Sequence, residues 1–451
     1  YTRAYETCKA EVERIVAECS RQEDNRQDAF CDLDFDLEGD RRDCLFSLDQ
    51  DTGEEPDSKR IKEIFEWPTF FGDEIKAQEI TQGELSNCWF LAALATVTRL
   101  PWGIKNICVA QNEEFGVYGF VFRRDGEWTS VVVNDQVEKA ITLNRNGEPS
   151  SQSVRSLGDN SAPHFARSHE PRKTWLSMLE KAFAKLHGDY GALGWGFTGE
   201  GVEDLAGGVT SEYSPKKILN PDSFWTNELL KVNDDFLFGC SIDSRLVEEE
   251  YKQSNDDGDV MTLTGLASDH AYSVLRAVEK KGKRLVFISD PRRTEEWTGR
   301  WSNNSQAWTE EWKRVLDYQP QNDGCFWMEY SDFLKEWTHI ERVRLFNKSW
   351  WAVASHWVEV SPIRPATWEQ LFFLVTLTKD SPAVIVLSQL DTRYFKGLAG
   401  PFNFGLDLKV FNERKEWYTF RSSGPRSVNM ELDLPAGRYI VCVKIDCVKI
   451  D

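Results

Sequence analysis

Cys88 stands where a polar turn meets a long apolar run. The stretch Gln82-Gly-Glu-Leu-Ser-Asn-Cys-Trp-Phe90 puts Ser86 and Asn87 directly before it and the segment Trp89–Leu100 after it. That order predicts a buried helix opening at the cysteine, with Ser86 or Asn87 as its cap. A helix N-terminus favours an anionic sulfur through its free N–H groups and its dipole. The same donors suit a developing oxyanion, and Gln82, six residues upstream, adds a side-chain amide. A cysteine beside an apolar run is as often a small core residue, so the chemistry needs partners elsewhere in the chain.

A thiol nucleophile requires an imidazole to hold its proton, a group to orient that imidazole, and a donor for the oxyanion. The histidines are His164, His169, His187, His270, His339 and His356. His164 and His169 fall in a polar stretch, and His187 closes a predicted helix, where a capping role suffices. His270 opens a predicted strand, in Ser-Asp-His-Ala-Tyr-Ser-Val, which aims its ring off a sheet edge. A strand-end histidine with a purely structural partner would look the same. Twenty residues on, Leu285–Ser289 reads as a strand that ends in Asp290-Pro291. Neighbouring strand ends would bring Asp290 to the imidazole, where its carboxylate would accept the Nδ1–H.

These residues need a sizeable scaffold to meet. With 451 residues the chain exceeds one ordinary core, so two to four domains are expected. A formal charge of −20 argues against a nucleic-acid surface, which needs clustered Lys and Arg. No apolar run reaches the roughly 20 residues that span a bilayer, and no signal-peptide pattern opens the chain. The chain starts at Tyr1, as an excerpt of something longer would. Ten cysteines without paired spacing suggest reduced thiols and a cytoplasmic setting.

Residues 1–29 read as a helix and a linker, with Cys8, Val12, Ile15, Val16 and Cys19 on one face. That face would pack on the main body or take a partner. Residues 30–207 form a mostly helical first lobe. It holds a hairpin, Val117–Phe122 and Trp128–Val133 around Asp125-Gly126, and a helix from Trp175 to a glycine stop at Gly188. The polar stretch Asn144–Arg172 is long enough to be a mobile surface loop. Residues 208–346 read as a β-rich second lobe with strands at Phe236–Ile242, Ala271–Val278 and Arg284–Ser289. Residues 347–451 are wholly β, with strands at Leu371–Leu377, Ala383–Leu390, Leu406–Phe411 and Tyr439–Ile445, as in an antiparallel β-sandwich. No EF-hand loop of the Asp-x-Asp-x-Asp-Gly type occurs.

Several segments, in order, resemble the calpain cysteine protease core. They are residues 82–93 around Cys88, Leu-Glu-Lys-Ala-Phe-Ala-Lys-Leu-His-Gly (179–188) and Asp-Leu-Ala-Gly-Gly-Val-Thr (204–210). The others are His-Ala-Tyr-Ser-Val (270–274), Glu-Trp-Thr-Gly-Arg-Trp-Ser (296–302) and Phe-Trp-Met-Glu-Tyr-Ser-Asp-Phe (326–333). Leu-Pro-Ala-Gly-Arg-Tyr-Ile (434–440) resembles the end of the β-sandwich that follows that core. The resemblance implies an α+β protein: a two-lobed papain-like core with its site between the lobes, followed by the sandwich. It implies Cys88 as nucleophile, His270 as base and Gln82 as oxyanion donor.

The departures matter as much. Asp290-Pro-Arg-Arg293 stands where calpains carry Asn-Pro-Trp-Gly. Asp290 would orient His270 in place of asparagine and raise its pKa. Arg292 replaces a shielding indole, and Arg292 or Arg293 would be placed to draw Asp290 away from His270. The resemblance also implies calcium, held in the first lobe by Glu79 and Glu200 and in the second by Glu296, Asn303, Asp323 and Cys325. Calpains have carboxylates at the positions of Asn303 and Cys325, so the second site is expected to be weak or empty. The reading is a cytoplasmic, calcium-regulated cysteine endopeptidase with protein substrates and limited cleavage. A non-cleaving binding protein of the same fold is the first alternative, and acyl transfer to an amine the second.

Overall fold

In the computed structural model the apolar run after Cys88 is a helix, Cys88–Val97, in which every residue from Trp89 to Val97 is buried. The structure describes residues 1–21, 29–45, 58–72, 74–138, 165–170, 172–254, 260–293, 297–321, 323–346, 352–360, 368, 370–393, 402–414, 416–422 and 426–449. A helix apolar on all sides must sit inside a core, and each fully buried Leu or Phe there stabilises by about 1.5–3 kcal/mol. It crosses the helix Thr198–Ala206 at Gly201, where an added Cβ would stand 2.8 Å from the Cβ of Ala93. The helix Trp175–His187 packs on it through Phe183, stacked on Phe90 at 4.1 Å between ring centroids. That helix stops as expected at Gly188, whose φ is +108°.

The expected hairpin forms between strands Val117–Arg124 and Glu127–Asn134. Asp125 and Gly126, at φ of +50° and +84°, make its tight turn. The N-terminal helix Thr2–Cys19 lays Ala4, Cys8, Val12 and Ile15 on this hairpin. Gly119 leaves room for the Cys8 sulfur. The apolar face of the helix is thus covered by its own body rather than left for a partner.

A second cluster of buried apolar residues, including Trp225, Phe238, Tyr272, Phe326 and Trp337, lies on a six-stranded sheet. Five of its strands run antiparallel in the order Cys325–Glu329, Lys283–Ser289, His270–Lys280, Phe236–Ile242, His339–Arg344. Ser273 pairs with Ser289, so the residue after Ser289 emerges beside the start of the His270 strand. That register delivers Asp290 to His270. All these elements belong to one compact unit, residues 1–207 with 212–345.

Residues 346–451 with 208–211 form the other compact unit. Four of its strands, Phe372–Leu377, Gly437–Lys449, Phe402–Asn412 and Trp417–Ser422, make an antiparallel sheet in that order. Ser381–Ser388 pairs with Ser427–Leu434. Both sheets supply one apolar core, with Leu408, Val410, Val428, Met430 and Val441 buried. Strand Ser427–Leu434 escaped the sequence reading although Val428, Met430, Leu432 and Leu434 alternate along it.

Most of the linker after Ser20, most of the Asn144–Arg172 stretch, including His164, and the acidic loop Asn255–Asp259 lie outside the described residues. Of the Asn144–Arg172 stretch, Arg167–Ser168 pairs with Ile80–Thr81 as a short ribbon. No described helix is long and apolar enough to cross a membrane.

Candidate active site

The Cys88 thiol is half-buried at the first position of its helix. Phe90 and Leu91 return their N–H groups to the Asn87 carbonyl, at 3.0 and 3.2 Å, which leaves Cys88 at the mouth of the helix. Asn87 is the cap residue, as expected, but its side chain makes no cap bond. Its Nδ2 donates instead to Glu180 Oε1, at 2.5 Å, and Glu180 Oε2 accepts the Ala166 N–H at 2.9 Å. Asn87 and Glu180 are both fully buried. The capping reading failed because the Nδ2 bond to Glu180 orients the amide away from the helix, and Oδ1, the atom that would accept a helix N–H, is buried without a hydrogen bond.

Sequence reasoning missed this role of Glu180, which sits in the Leu-Glu-Lys-Ala segment. Burial pushes its pKa up to about 7, against the pull of the Ala166 and Asn87 N–H groups. Glu180→Ala would leave two buried donors without an acceptor. It is expected to destabilise the protein by about 2–4 kcal/mol, read as a lowered urea midpoint with unchanged m-value, and Glu180→Gln by less.

His270 opens its strand and is 2% exposed. Its Nε2 meets Asp290 Oδ1 at 2.7 Å. This corrects the expected Nδ1 contact: the register brings the two residues together, the rotation of the packed ring turns Nε2 to the carboxylate, and Nδ1 is left without a completed hydrogen bond. Asp290 is 1% exposed, and the same Oδ1 accepts the Arg292 backbone N–H at 2.8 Å. Oδ2 is buried with no hydrogen-bond partner. The expected withdrawal of Asp290 by an arginine does not occur, since the Arg293 guanidinium is taken by the Gln78 carbonyl. Gly324, at φ +75°, lets the chain pass close to Asp290: its carbonyl accepts the Asp290 N–H at 2.8 Å, and a Cβ on it would sit 2.6 Å from the Asp290 carbonyl oxygen.

Ser273, on the same strand as His270, donates to the Ala92 carbonyl of the Cys88 helix at 2.7 Å, and both are buried. This bond fixes the imidazole strand to the thiol helix. Burial works against a thiolate at Cys88, but the His270 charge and ring, the Ala271 N–H and Arg292 together pull the thiol pKa below its ordinary value. Burial likewise opposes a charged His270. Asp290 and the Cys88 sulfur outweigh it and raise the imidazole to about 9. Both shifts run in the direction that favours a thiolate–imidazolium pair.

Gln82 is tied to the Asp290 turn by its backbone N–H, which donates to the Pro291 carbonyl at 2.9 Å. Its Nε2 donates to the Leu85 carbonyl at 2.8 Å, and Oε1 is buried without a partner. A carbonyl only accepts, so the amide is oriented with Nε2 toward Leu85 and keeps one N–H for another acceptor. On the other flank, Trp195 donates its backbone N–H to Ser86 at 3.0 Å, and Trp89 Nε1 donates to the Leu193 carbonyl at 2.8 Å. The Leu193–Trp195 segment is thus stitched to both sides of Cys88. Trp195, 73% exposed and at φ +66°, offers an indole face there that the sequence reading did not single out.

The remaining histidines stand apart. His169 is exposed, His187 is buried with Nε2 3.8 Å from Asp204, and His339 lies 3.3 Å from Glu212.

The described residues expected to hold calcium are engaged with other partners. No described group of three or more His, Cys, Asp or Glu forms a metal cluster. Glu79 Oε1 is taken by the Lys173 ammonium at 2.7 Å. Glu200 lies on the helix Thr198–Ala206 near Glu341, whose pKa burial raises to about 8 with Glu200 adding to it. In the second set, Asn303 donates Nδ2 to the carbonyls of Gln321 and Cys325, at 3.0 and 3.3 Å, and accepts from the Tyr318 hydroxyl. Asp323 Oδ1 accepts the Cys325 N–H at 3.0 Å, and the Cys325 thiol is buried and raised well above its ordinary value. Glu296 lies outside the described residues. An amide donor among carbonyls is the reverse of a cation's oxygen cage, so Asn303 as oriented here does not fit a calcium ligand, and at Glu79 the Lys173 ammonium already occupies Oε1.

The structure brings together a helix-borne thiol, an imidazole and a buried carboxylate, a set of groups suited to nucleophilic chemistry. Residues 30–344 match the model of the calpain family cysteine protease, and the chain belongs to that family. It is 35% identical to the human calpain-2 catalytic subunit over 296 residues, 63% of this chain and 38% of that one. It is 34% identical to the pig calpain-1 catalytic subunit over 297 residues, 63% of this chain and 37% of that one. It is 33% identical to the calpain-type cysteine protease ADL1 of Oryza sativa subsp. japonica over 286 residues, 62% of this chain and 12% of that one. The chain therefore spans well under half the length of these relatives.

Proposed function

We propose that the chain is a cysteine endopeptidase making limited cuts in protein substrates, with Cys88, His270 and Asp290 as its triad. The observation that carries the reading is the buried His270–Asp290 bond of 2.7 Å beside a thiol whose pKa that imidazole lowers. The Cys88 thiolate attacks the scissile carbonyl carbon. The carbonyl electrons move to oxygen, and the Cys88 backbone N–H and the remaining Gln82 N–H receive the oxyanion. The intermediate collapses, the C–N bond breaks, and the His270 imidazolium gives its proton to the leaving amine. Water, deprotonated by His270, then hydrolyses the thioester and frees Cys88. Throughout, Asp290 holds the ring and stabilises its charge.

In this reading residues 30–207 and 208–346 are the two lobes of a papain-like core, and residues 347–451 a β-sandwich. The exposed Trp195 indole flanks the thiol where a substrate side chain would lie. Incubating the chain with a fluorogenic peptide and an unfolded protein tests the proposal. Cleavage that stops in step with alkylation of Cys88 is the expected result. A folded protein with no cleavage would leave a binding protein, and incorporation of a labelled amine would indicate acyl transfer.

A further inference from the structure

The Lys173 ammonium sits inside a cage of oxygens. It lies 2.7 Å from Glu79 Oε1, 3.0 Å from the Glu74 carbonyl and 3.4 Å from Glu170 Oε2. The Lys173 and Glu79 side chains are 9% and 6% exposed, so the ion pair is shielded from water. A carbonyl and carboxylates from separate turns around one positive charge form the hard-oxygen set that a calcium ion takes. Here the charge is covalently attached. Gly72 leaves space for it: an added Cβ would stand 2.3 Å from Lys173 Cε.

The position of this cation gives it leverage on the site. Glu79 closes the turn Ala77–Glu79, which leads through Ile80–Thr81 to Gln82. Glu79 also accepts the His169 N–H on its carbonyl, at 2.7 Å. Lys173 lies two residues before the helix Trp175–His187, which carries Glu180 and so holds Asn87. Thr69 and Thr174 tie the same two segments by backbone bonds. One buried ion pair therefore joins the approach to Gln82 with the helix that holds the Cys88 turn.

We propose that Lys173 is the resident cation of the first lobe, and that the Cys88–His270 pair assembles without calcium. The proposal rests on the peptidase reading only for what the assembled pair is used for. It replaces the expectation of calcium control, and the cation is always present because it is part of the chain. Losing Lys173 would leave Glu79 buried and uncompensated, with Glu170 and the Glu74 carbonyl beside it. Such a set would then admit an external cation.

The test uses the full chain and two readouts that do not depend on cleavage. These are calorimetric titration with calcium and the rate of Cys88 alkylation by iodoacetamide, followed by peptide mass mapping. For the wild type, alkylation rate and thermal midpoint are expected to be the same in calcium and in chelator, with no heat of binding at this site. Lys173→Ser is expected to be alkylated about tenfold or more slowly in chelator, because one partner of a buried pair is gone, and calcium should restore the rate. Lys173→Arg keeps a cation and should remain independent of calcium. A wild type whose Cys88 alkylation requires calcium overturns the proposal, as does Lys173→Ser alkylated at the wild-type rate in chelator. Should Lys173→Ser fail to fold, the wild type and Lys173→Arg decide alone. A chain that shows these results yet cleaves nothing retains this proposal and loses the peptidase reading.

Discussion

Cys88→Ala is expected to lower kcat/KM for any cleaved peptide by at least about 10⁴-fold, to the background of uncatalysed hydrolysis. The nucleophile forms the bond that turns one hard step into two easier ones, and alanine offers no lone pair to do so. The change should leave the fold intact. Cys88 is half-buried at the helix mouth and interacts there with the His270 ring and the Ala271 N–H rather than with the core, so the loss of one sulfur costs on the order of 1 kcal/mol. Substrate binding should persist, because the surfaces flanking the thiol are untouched. Tight peptide binding without turnover is the signature to look for, measured by fluorescence anisotropy beside the cleavage assay.

Asp290→Ala is expected to cost roughly 10²–10⁴-fold in kcat/KM and to change the shape of the pH profile. In the wild type the thiolate–imidazolium pair exists from the lowered thiol pKa up to about 9, where His270 gives up its proton. The limbs of the profile belong to the coupled pair rather than to either group alone. Without Asp290, burial depresses the imidazolium with only the sulfur to oppose it, so the alkaline limb moves to lower pH. Stability follows the same sign. The folded His270 pKa lies above the unfolded value near 6.5, so its contribution is complete below that pH and is lost as pH rises through about 9. The loss should be smaller in the variant, as urea titrations across that window would show. Asp290→Asn separates orientation from charge. Its amide oxygen can still accept from Nε2, so the rate should fall by only about tenfold while the alkaline limb still moves down. An unchanged pH profile in Asp290→Ala would mean that Asp290 does not set the imidazole.

The parts of the site that could be read in the sequence are those fixed by short segments. Cys88 was legible because the polar turn and the apolar helix meet within a few residues. His270 and Asp290 were legible because one opens a strand and the other follows the end of the next, and the pairing of Ser273 with Ser289 does place them together. What escaped depends on side chains far apart in the chain. Asn87 and Glu180 are separated by 93 positions, Lys173 and Glu79 by 94, and Ala92 and Ser273 by 181. No spacing rule joins such pairs. The identity of the histidine nitrogen escaped for another reason, since ring rotation is set by the packed neighbourhood and leaves no mark on residue type. For the calcium expectation, glutamates are visible in sequence as donors, but nothing there shows that the ordinary lysine Lys173 pairs with Glu79.

The trapped acyl-enzyme tests the central assignment most directly. A slowly deacylating peptide ester, mixed with the chain and quenched in acid, should add the mass of its acyl group to the protein. Peptide mapping should place that mass on Cys88, the Cys88→Ala protein should show none, and the adduct should decay with release of the free acid. Turnover of the ester with an unmodified Cys88, or an adduct of equal yield in Cys88→Ala, would contradict the assignment of Cys88 as the nucleophile.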